Sequence, residues 1–186
     1  MKILVTGSTG QLGFDVIKLC KEKSIQCLGV SSKDFDISDY KSAKECIEKY
    51  NPDCVIHCAA YTAVDKAEDE EEKAYQVNYI GTKNIAEICK EMNIKMVYIS
   101  TDYVFDGSLS REYEIDDEIC PIGVYGKTKA LGEEFIKNNL DKYFIVRISW
   151  VFGINGNNFV KRMLRLGAEK DTINVVSDQI GSPTYT

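Results

Sequence analysis

The stretch that decides the fold is "KILVTGSTGQLG", residues 2–13. A short apolar run, 2–7, leads directly into glycines at positions 7, 10 and 13, where a helical pattern starts. Gly7 allows a tight turn, Gly10 lets backbone amides approach a pyrophosphate, and Gly13 permits close packing of helix on strand. The helix N-terminus adds free N–H groups and a positive dipole for phosphates. The segment therefore predicts a dinucleotide-binding loop rather than an ordinary glycine turn.

The rest of the chain alternates apolar runs with helical periods. Short runs rich in Val and Ile, typical of strands buried on both faces of a parallel sheet, occupy 2–7, 27–31, 54–60, 95–100, 143–149 and 173–177. Helical periods occupy 11–23, 40–50, 67–92, 125–139 and 157–169. This alternation predicts an α/β fold, a doubly wound parallel sheet of the Rossmann-like NAD(P)-binding type, in one domain over 1–186. We expect the strand order 3-2-1-4-5-6, with a crevice between strands 1 and 4.

Two features between these elements add to the prediction. The acidic run "EDEEE" (68–72) falls in the first turn of the helix at 67–92, where it favours the positive end of the helix dipole and is expected to be a solvated face. The connection at 101–124 is long and irregular. Loops of that length inside a compact domain are usually functional.

The bulk composition is that of an ordinary globular protein. Of its 186 residues 44% are hydrophobic and 28% charged, which suits one domain with a real core. The net charge of −6 argues against a nucleic-acid partner, because phosphate binding needs basic patches. No apolar run reaches the roughly 18 residues of a membrane span, and the N-terminus lacks the longer apolar region of a signal peptide. We therefore expect a cytoplasmic protein without a membrane partner.

Cysteine and histidine point to structural rather than metal-binding roles. The seven cysteines are odd in number, form no C-x-x-C pair and lie mostly in apolar stretches, as expected of buried thiols in a reducing compartment. The one histidine, His57, alternates with apolar residues in "CVIHCAA" (54–60), and a zinc site needs more ligands than that. We predict a structural His57 and no metal site.

The turn after the second strand bears on the choice of cofactor. Ser31, Ser32 and Lys33 stand where an NAD-preferring site usually has an acidic residue that holds the ribose hydroxyls. Hydroxyls and a cation can accept a 2′-phosphate, which favours NADPH and leaves NADH possible. An ordinary polar loop is an equally good interpretation of these three residues.

A tyrosine four residues before a lysine places a phenol beside an ammonium on a helix. This spacing occurs at Tyr40/Lys44, Tyr79/Lys83 and Tyr125/Lys129. Composition alone produces about one such pair by chance, so position in the fold must choose among the three. In the expected topology Tyr40 lies on the adenine side, Tyr79 lies midway along its helix, and Tyr125 begins the helix after the fourth strand. Only Tyr125 is then placed to meet a nicotinamide.

Thr101 ends the fourth strand in "YISTDYVFDG" (98–107) and is the natural partner of Tyr125. Its hydroxyl can hold a carbonyl oxygen, which Tyr125 protonates as hydride reaches the carbon. A free phenol has a pKa near 10. We expect the Lys129 ammonium to stabilise the phenolate, to lower the pKa of Tyr125 and to bind the nicotinamide ribose.

Six segments together carry a resemblance to a known family. They are "GSTGQLG" (7–13), "CAAYTAVDKAE" (58–68), "STDYVFDG" (100–107), "YGKTKALGE" (125–133), "NNFVKRMLRL" (157–166) and "DQIGSPT" (178–184). The chain resembles the dTDP-4-dehydrorhamnose reductases, which are extended short-chain dehydrogenase/reductases. The resemblance implies NADPH-dependent reduction of the 4-keto group of dTDP-4-dehydrorhamnose to dTDP-L-rhamnose, with a dTDP-sugar substrate and a possible homodimer. Some members bind a divalent ion at a dimer contact, but no such site is evident here.

The resemblance and the motifs define the expected site. Thr101, Tyr125 and Lys129 are the implied catalytic residues. The residues expected at the cofactor are Gly7, Gly10, Gln11, Leu12, Gly13, Ser31, Ser32, Lys33, Asp36, Ile37, Ala59, Ala60, Tyr61, Ser100, Tyr125 and Lys129. Those implied at the sugar are Thr62, Val64, Thr101, Asp102, Tyr103 and Trp150. For Trp150, a core position at a strand end is the alternative.

Two other functions fit the same scaffold. One is a sugar-nucleotide epimerase or dehydratase, although the Glu that usually partners the Asp of a dehydratase is absent from "STDYVF" (100–105). The other is a non-catalytic, reductase-like regulatory subunit, against which the intact Thr101, Tyr125 and Lys129 argue. The segment "INVVSDQIGSPTYT" (173–186) stops soon after an expected strand. We therefore expect the chain to lack a remaining part of the substrate-binding region.

Overall fold

A five-stranded parallel sheet forms the centre of the structure, a computed structural model that describes residues 1–186. Its strands are β1 (Lys2–Thr6), β2 (Gln26–Val30), β3 (Cys54–His57), β4 (Lys95–Thr101) and β5 (Tyr143–Ile148). They are hydrogen-bonded in the order β2-β1-β3-β4-β5, and every pair is parallel. The predicted doubly wound α/β fold is therefore confirmed.

Helices cover both faces of this sheet. They are α1 (Gln11–Glu22), α2 (Tyr40–Tyr50), α3 (Val64–Ala67), α4 (Glu71–Tyr75), α5 (Gly81–Glu91), α6 (Val124–Asn139) and α7 (Phe159–Glu169). A π-helical turn, Gln76–Ile80, joins α4 to α5, and a 3₁₀ turn, Asp102–Val104, follows β4. Two short parallel strands, β6 (Val151–Phe152) and β7 (Thr184–Tyr185), form a separate ladder. No helix is long and apolar enough to cross a membrane.

The main core lies on one face of the sheet, under α2, α5 and α6. Leu4, Val55, Met96 and Tyr98 point into it from the three inner strands and are fully buried. On the opposite face a smaller cluster, which includes Ile3 and Val5, packs against α1. Successive side chains of a strand point to opposite faces of the sheet, so strands that are apolar throughout contribute residues to the cores on both faces.

The strand order corrects the expected one. β3 lies beside β1, and β4 lies one position further out, so the order reverses between β1 and β3 rather than between the first and fourth strands. The physical reason is burial: Cys54, Val55 and His57 are all buried, which suits the middle of a sheet and not an edge beyond β2.

Two predicted elements differ in the structure. The single helix expected at 67–92 is divided into α4, the π-helical turn and α5, and a break at 68–70 precedes it. The strand expected at 173–177 is irregular, and Val175 and Val176 are exposed. Apolar composition favours a strand only where a neighbouring strand satisfies its backbone groups, and this segment pairs with none.

Local contacts stabilise the fold, and His57 has the buried, structural position predicted for it. Asp39 caps α2, since its carboxylate accepts hydrogen bonds from the N–H groups of Lys41 and Ser42. His57 is fully buried, and its ring nitrogens contact the hydroxyls of Thr6 and Thr82 at 2.7 and 3.1 Å. All seven cysteines are free thiols, and only Cys120 is exposed.

Candidate active site

The glycine loop packs tightly against the loop that follows β3. Gly7 has a φ of +65°, and a Cβ on it would lie 2.7 Å from the backbone nitrogen of Ala59. A Cβ on Gly13 would collide with the Gly7 carbonyl oxygen. Helix α1 begins after Gly10 without a side-chain cap, so its first N–H groups are left for a ligand. This loop is a cradle for a pyrophosphate, because only glycine fits these positions and the helix end attracts negative charge.

A cavity of about 790 Å³ opens from this cradle at the carboxyl ends of the strands. It brings together most of the residues expected from the sequence: Gly7, Gly10, Gln11, Leu12, Gly13, Ser31, Ser32, Asp36, Ile37, Ala59, Ala60, Thr62, Val64, Ser100, Thr101, Asp102, Tyr103, Tyr125, Lys129 and Trp150. One continuous cavity therefore contains both the phosphate cradle and the expected catalytic residues. Its volume is within the range of cofactor and ligand sites.

Two expected cofactor residues have side chains outside this cavity. Lys33 is exposed. It lies in a turn, residues 31–34, that is closed by Asp34, whose carboxylate accepts hydrogen bonds from both the N–H and the hydroxyl of Ser31. The Tyr61 hydroxyl donates to the Glu70 carboxylate at 3.2 Å instead of reaching inward. The cavity is thus left with Ser31 and Ser32 as the polar groups of this turn.

Trp150 is a cavity residue and not a core residue. Half of its surface is exposed, and it lies between β5 and β6, two residues after β5 ends. Its φ of +47° is unusual for a bulky side chain, and Gly181 leaves the room that its indole needs. Strained backbone of this kind is common at functional sites.

The expected catalytic residues meet where β4 ends and α6 begins. Thr101 is the last residue of β4, and its hydroxyl donates to Asp102 Oδ1 at 3.0 Å. Tyr125 is the second residue of α6, and its ring makes an edge-to-face contact with Tyr103, 5.6 Å between centroids. Lys129, one helical turn further, is buried and donates to the Ile99 carbonyl at 2.6 Å.

The protonation states of these groups follow from their burial. Burial raises the pKa of Tyr125 to about 12, helped by Asp102 and opposed by the Thr101 hydroxyl. Burial also lowers the pKa of Lys129 to about 7, although the Glu133 carboxylate acts to raise it. Tyr125 therefore keeps its proton throughout the physiological pH range.

These values correct one sequence-based expectation. The expected lowering of the Tyr125 pKa is not found: burial is the largest influence and raises this pKa above its ordinary value, and burial also lowers the pKa of Lys129, which weakens the ammonium as a stabiliser of the phenolate. Burial likewise raises the pKa of Asp102, whose carboxyl accepts the hydrogen bond of the Thr101 hydroxyl. The arrangement is a neutral proton donor next to a second hydroxyl.

Sequence reasoning missed the residues that hold α6 in place. Asn78, fully buried in the π-helical turn, bonds both backbone groups of Tyr61 and the Thr128 hydroxyl of α6. A polar residue inside an apolar helical stretch was the available signal for Asn78. Glu68 accepts a hydrogen bond from the Val124 N–H, so this member of the acidic run is not simply a solvated residue. The sequence did not indicate this contact, because Glu68 is the first residue of a run of acidic side chains that was interpreted as solvated.

A buried ion pair anchors the middle of α6 to the sheet. Glu133 is fully buried, and Arg147 of β5 donates to its two carboxylate oxygens at 2.9 and 2.7 Å. Burial acts to raise the pKa of Glu133, but Arg147 and the other donors outweigh it and hold the pKa below its ordinary value. The charge of Glu133 is therefore compensated, and α6 is fixed at both its start and its middle.

The comparison with known proteins agrees with this architecture. The family model for the RmlD substrate binding domain matches residues 1–186, the whole chain. The chain belongs to the RmlD family. No group of three or more His, Cys, Asp or Glu side chains is placed to hold a metal ion.

Individual relatives are similar to the chain over its whole length. The spore coat polysaccharide biosynthesis protein SpsK of Bacillus subtilis is 43% identical over 185 residues, which are 100% of this chain and 65% of that protein. A dTDP-4-dehydrorhamnose reductase of Aggregatibacter actinomycetemcomitans is 43% identical, covering 100% of this chain and 63% of the relative. The crystal structure of a Bacillus anthracis dTDP-4-dehydrorhamnose reductase in complex with NADP is 44% identical, with a TM-score of 0.96 over 100% of this chain and 66% of that one. The chain thus spans slightly less than two thirds of the length of these relatives.

Proposed function

We propose that this chain carries the cofactor site and catalytic residues of an NADPH-dependent oxidoreductase. The reaction is reduction of the 4-keto group of a dTDP-4-keto-6-deoxy sugar, from dTDP-4-dehydrorhamnose to dTDP-L-rhamnose. The observation that carries the proposal is that Tyr125 and Thr101 line the same cavity as the glycine cradle. Relatives named dTDP-4-dehydrorhamnose reductase, one of them in complex with NADP, support the choice of substrate and cofactor.

The residues present fit NADPH. The crowding around Gly7 and Gly13 leaves backbone, and no side chain, to meet a pyrophosphate at the start of α1. Ser31 and Ser32 lie at the end of β2, where the adenosine ribose of a dinucleotide is held in this kind of fold. Asp36 and Ile37 would then border the adenine.

Proton transfer is the task of the chain's own residues, while bound NADPH supplies the hydride. Thr101 is placed to donate a hydrogen bond to the carbonyl oxygen of the sugar and to orient it. Tyr125 donates its phenolic proton to that oxygen as the carbon is reduced, so the product is an alcohol and the phenolate recovers a proton from solvent. Lys129 stands one turn away, where its amine can bind a ribose hydroxyl.

The walls of the cavity suit a polar sugar. Thr62 and Val64 line it on the side of α3, and Asp102, Tyr103 and Trp150 line it beyond Thr101. We propose that these residues contact the substrate. The predicted homodimer, the absence of a nucleic-acid partner and the cytoplasmic location stay predictions.

An assay with NADPH and dTDP-4-dehydrorhamnose tests this function directly. A full-length protein that contains this chain and the expected remainder of the substrate-binding region is expected to oxidise one NADPH for each dTDP-L-rhamnose formed, measured by NADPH absorbance and by chromatography of the nucleotide sugars. An epimerase or dehydratase would convert the sugar without net consumption of NADPH. If neither the cofactor nor the sugar changed, the function proposed here would be wrong and the non-catalytic alternative would be favoured.

A further inference from the structure

Helix α6 carries the proposed proton donor but has no cap of its own. Gly123 precedes the helix without a side-chain hydrogen bond, and the first turn contains no acidic residue. The first N–H groups of a helix need partners from elsewhere. Here the Val124 N–H donates to Glu68 Oε1 at 2.8 Å, from a residue 56 positions earlier in the chain.

The surroundings of Glu68 are shaped for this contact. A Cβ at position 123 would lie 2.8 Å from Glu68 Oε1, so glycine there leaves room for the carboxylate. Glu68 directly follows α3, the short helix whose Val64 lines the cavity. Glu68 itself is exposed and does not line the cavity. Its carboxylate therefore connects the end of α3 to the start of α6 from outside the cavity.

The other close contact at this turn cannot replace the cap. A Cβ on Gly126 would collide with the Tyr103 carbonyl oxygen, so the backbone of α6 approaches the 3₁₀ turn as closely as it can. That contact limits how near the helix comes, but a steric limit does not hold the helix there. The bond from Val124 to Glu68 is directional, and its negative charge complements the positive end of the helix dipole.

We propose that Glu68 is a positioning residue for the reaction. By capping α6 from a distant segment, it fixes the first turn of that helix, and with it the place of Tyr125 relative to Thr101. Its effect on turnover rests on the reductase function proposed above, whereas its effect on the helix end does not. Glu68 touches neither substrate nor cofactor in this account.

Turnover measurements with three variants test the effect on the reaction. Glu68→Ala is expected to lower kcat about tenfold and to leave the KM for NADPH within about twofold, because the helix end shifts while the cradle does not. Glu68→Gln keeps an acceptor oxygen and is expected to recover most of kcat. Asp69→Ala is the matched control, since it removes a neighbouring negative charge whose side chain makes no hydrogen bond. Equal kcat values for Glu68→Ala and Asp69→Ala would overturn the proposal.

Amide hydrogen exchange provides a readout that does not depend on turnover. Exchange at the Val124 N–H, followed by NMR, is expected to be about tenfold faster in Glu68→Ala than in the unmodified protein and unchanged in Asp69→Ala. Absence of NADPH oxidation in the unmodified protein would count against the proposed function alone. Equal exchange at Val124 in all three proteins would count against the cap alone and would refute the role of Glu68.

Discussion

At the scale of single residues, the sequence was sufficient to select a tyrosine but not to describe its chemistry. Of the three tyrosine–lysine pairs, only Tyr125/Lys129 lines the cavity. Tyr40 bonds a glutamate of α5, and Tyr79 packs against another tyrosine. Tyr125 lies in the cavity because it follows the strand that ends there, and its catalytic role stays a prediction. The pKa shifts could not be predicted, since they depend on burial and on the Ile99 carbonyl, which are properties of the folded chain.

His57 offers a prediction about protonation. Burial, with Lys129 nearby, lowers its pKa to about 3, so the folded protein keeps the ring neutral. Because it is the sole histidine, its ring proton resonances in an NMR spectrum are assigned without ambiguity. They are expected not to move between pH 8 and pH 5, and a midpoint near 6.5 would contradict this account.

The same group predicts how stability depends on pH. The unfolded chain binds a proton at His57 below about pH 6.5, whereas the folded chain does so only near pH 3. Between these values the unfolded state binds more protons, so this group makes the free energy of unfolding fall as pH falls. His57→Phe removes the ionisable ring. Urea titrations at pH 7 and pH 5 are therefore expected to show a smaller decrease in the free energy of unfolding for the variant than for the unmodified protein. An equal loss in both proteins would exclude this contribution.

At the scale of elements, periodicity predicted the helices that pack regularly and failed where one is interrupted. Helices α1 and α2 agree closely with the predicted ranges. The π-helical turn at Gln76–Ile80 was not predicted, because its wider i→i+5 hydrogen bonding leaves the apolar content of the segment unchanged. The turn buries Asn78 and lets it bond to Tyr61 and Thr128. That connection lies between segments far apart in the chain, so no local pattern contains it.

We predict that alanine has different effects on stability at two helical glycines, Gly126 in the first turn of α6 and Gly167 in α7. Gly126→Ala places a Cβ against the Tyr103 carbonyl, so it is expected to cost about 1–3 kcal/mol of stability and to lower turnover. Gly167→Ala is the control, because the nearest atom to its Cβ would be 4.0 Å away on an exposed helix surface. The control is expected to be neutral or to gain about 0.5–1 kcal/mol. Urea unfolding and the NADPH assay measure both, and equal effects would contradict the packing described.

At the scale of the whole molecule, the fold class was predictable and the strand order was not. The regular alternation of strands and helices determines a doubly wound sheet. The order depends on which side of β1 the third strand joins, and the chain around "CVIH" (54–57) does not specify it except through burial. This error did not affect where the expected site residues lie, because Thr101 at the end of β4 and Tyr125 at the start of α6 line the same cavity.

The buried pair of Glu133 and Arg147 predicts a large effect on overall stability. Arg147→Met leaves the buried Glu133 carboxylate with only the more distant and more exposed Lys137, 3.4 Å away, so it is expected to cost about 3 kcal/mol at pH 7. Because the pKa of Glu133 is lowered, its stabilising effect is present above the ordinary carboxyl range and is lost as pH falls through the lowered pKa. The difference in the free energy of unfolding between Arg147→Met and the unmodified protein should therefore become smaller at acidic pH.

Chemical denaturation checks this prediction against an exposed pair. Lys18 and Glu22 lie 3.9 Å apart on α1, and both side chains are more than half exposed. Lys18→Met is expected to have no measurable effect, since exposed pairs contribute little. If Arg147→Met lowered the free energy of unfolding as little as Lys18→Met, the buried pair would not anchor α6.

The central claim is that Tyr125 donates the proton in a ketone reduction, and its most direct test is the rate of NADPH oxidation by Tyr125→Phe with dTDP-4-dehydrorhamnose. Removal of a general acid is expected to lower kcat by about a hundredfold or more, with NADPH affinity within about twofold of the unmodified protein. Tyr40→Phe, which removes the same hydroxyl from another tyrosine–lysine pair outside the cavity, should retain full activity. A Tyr125→Phe protein that oxidised NADPH at the unmodified rate would contradict the account.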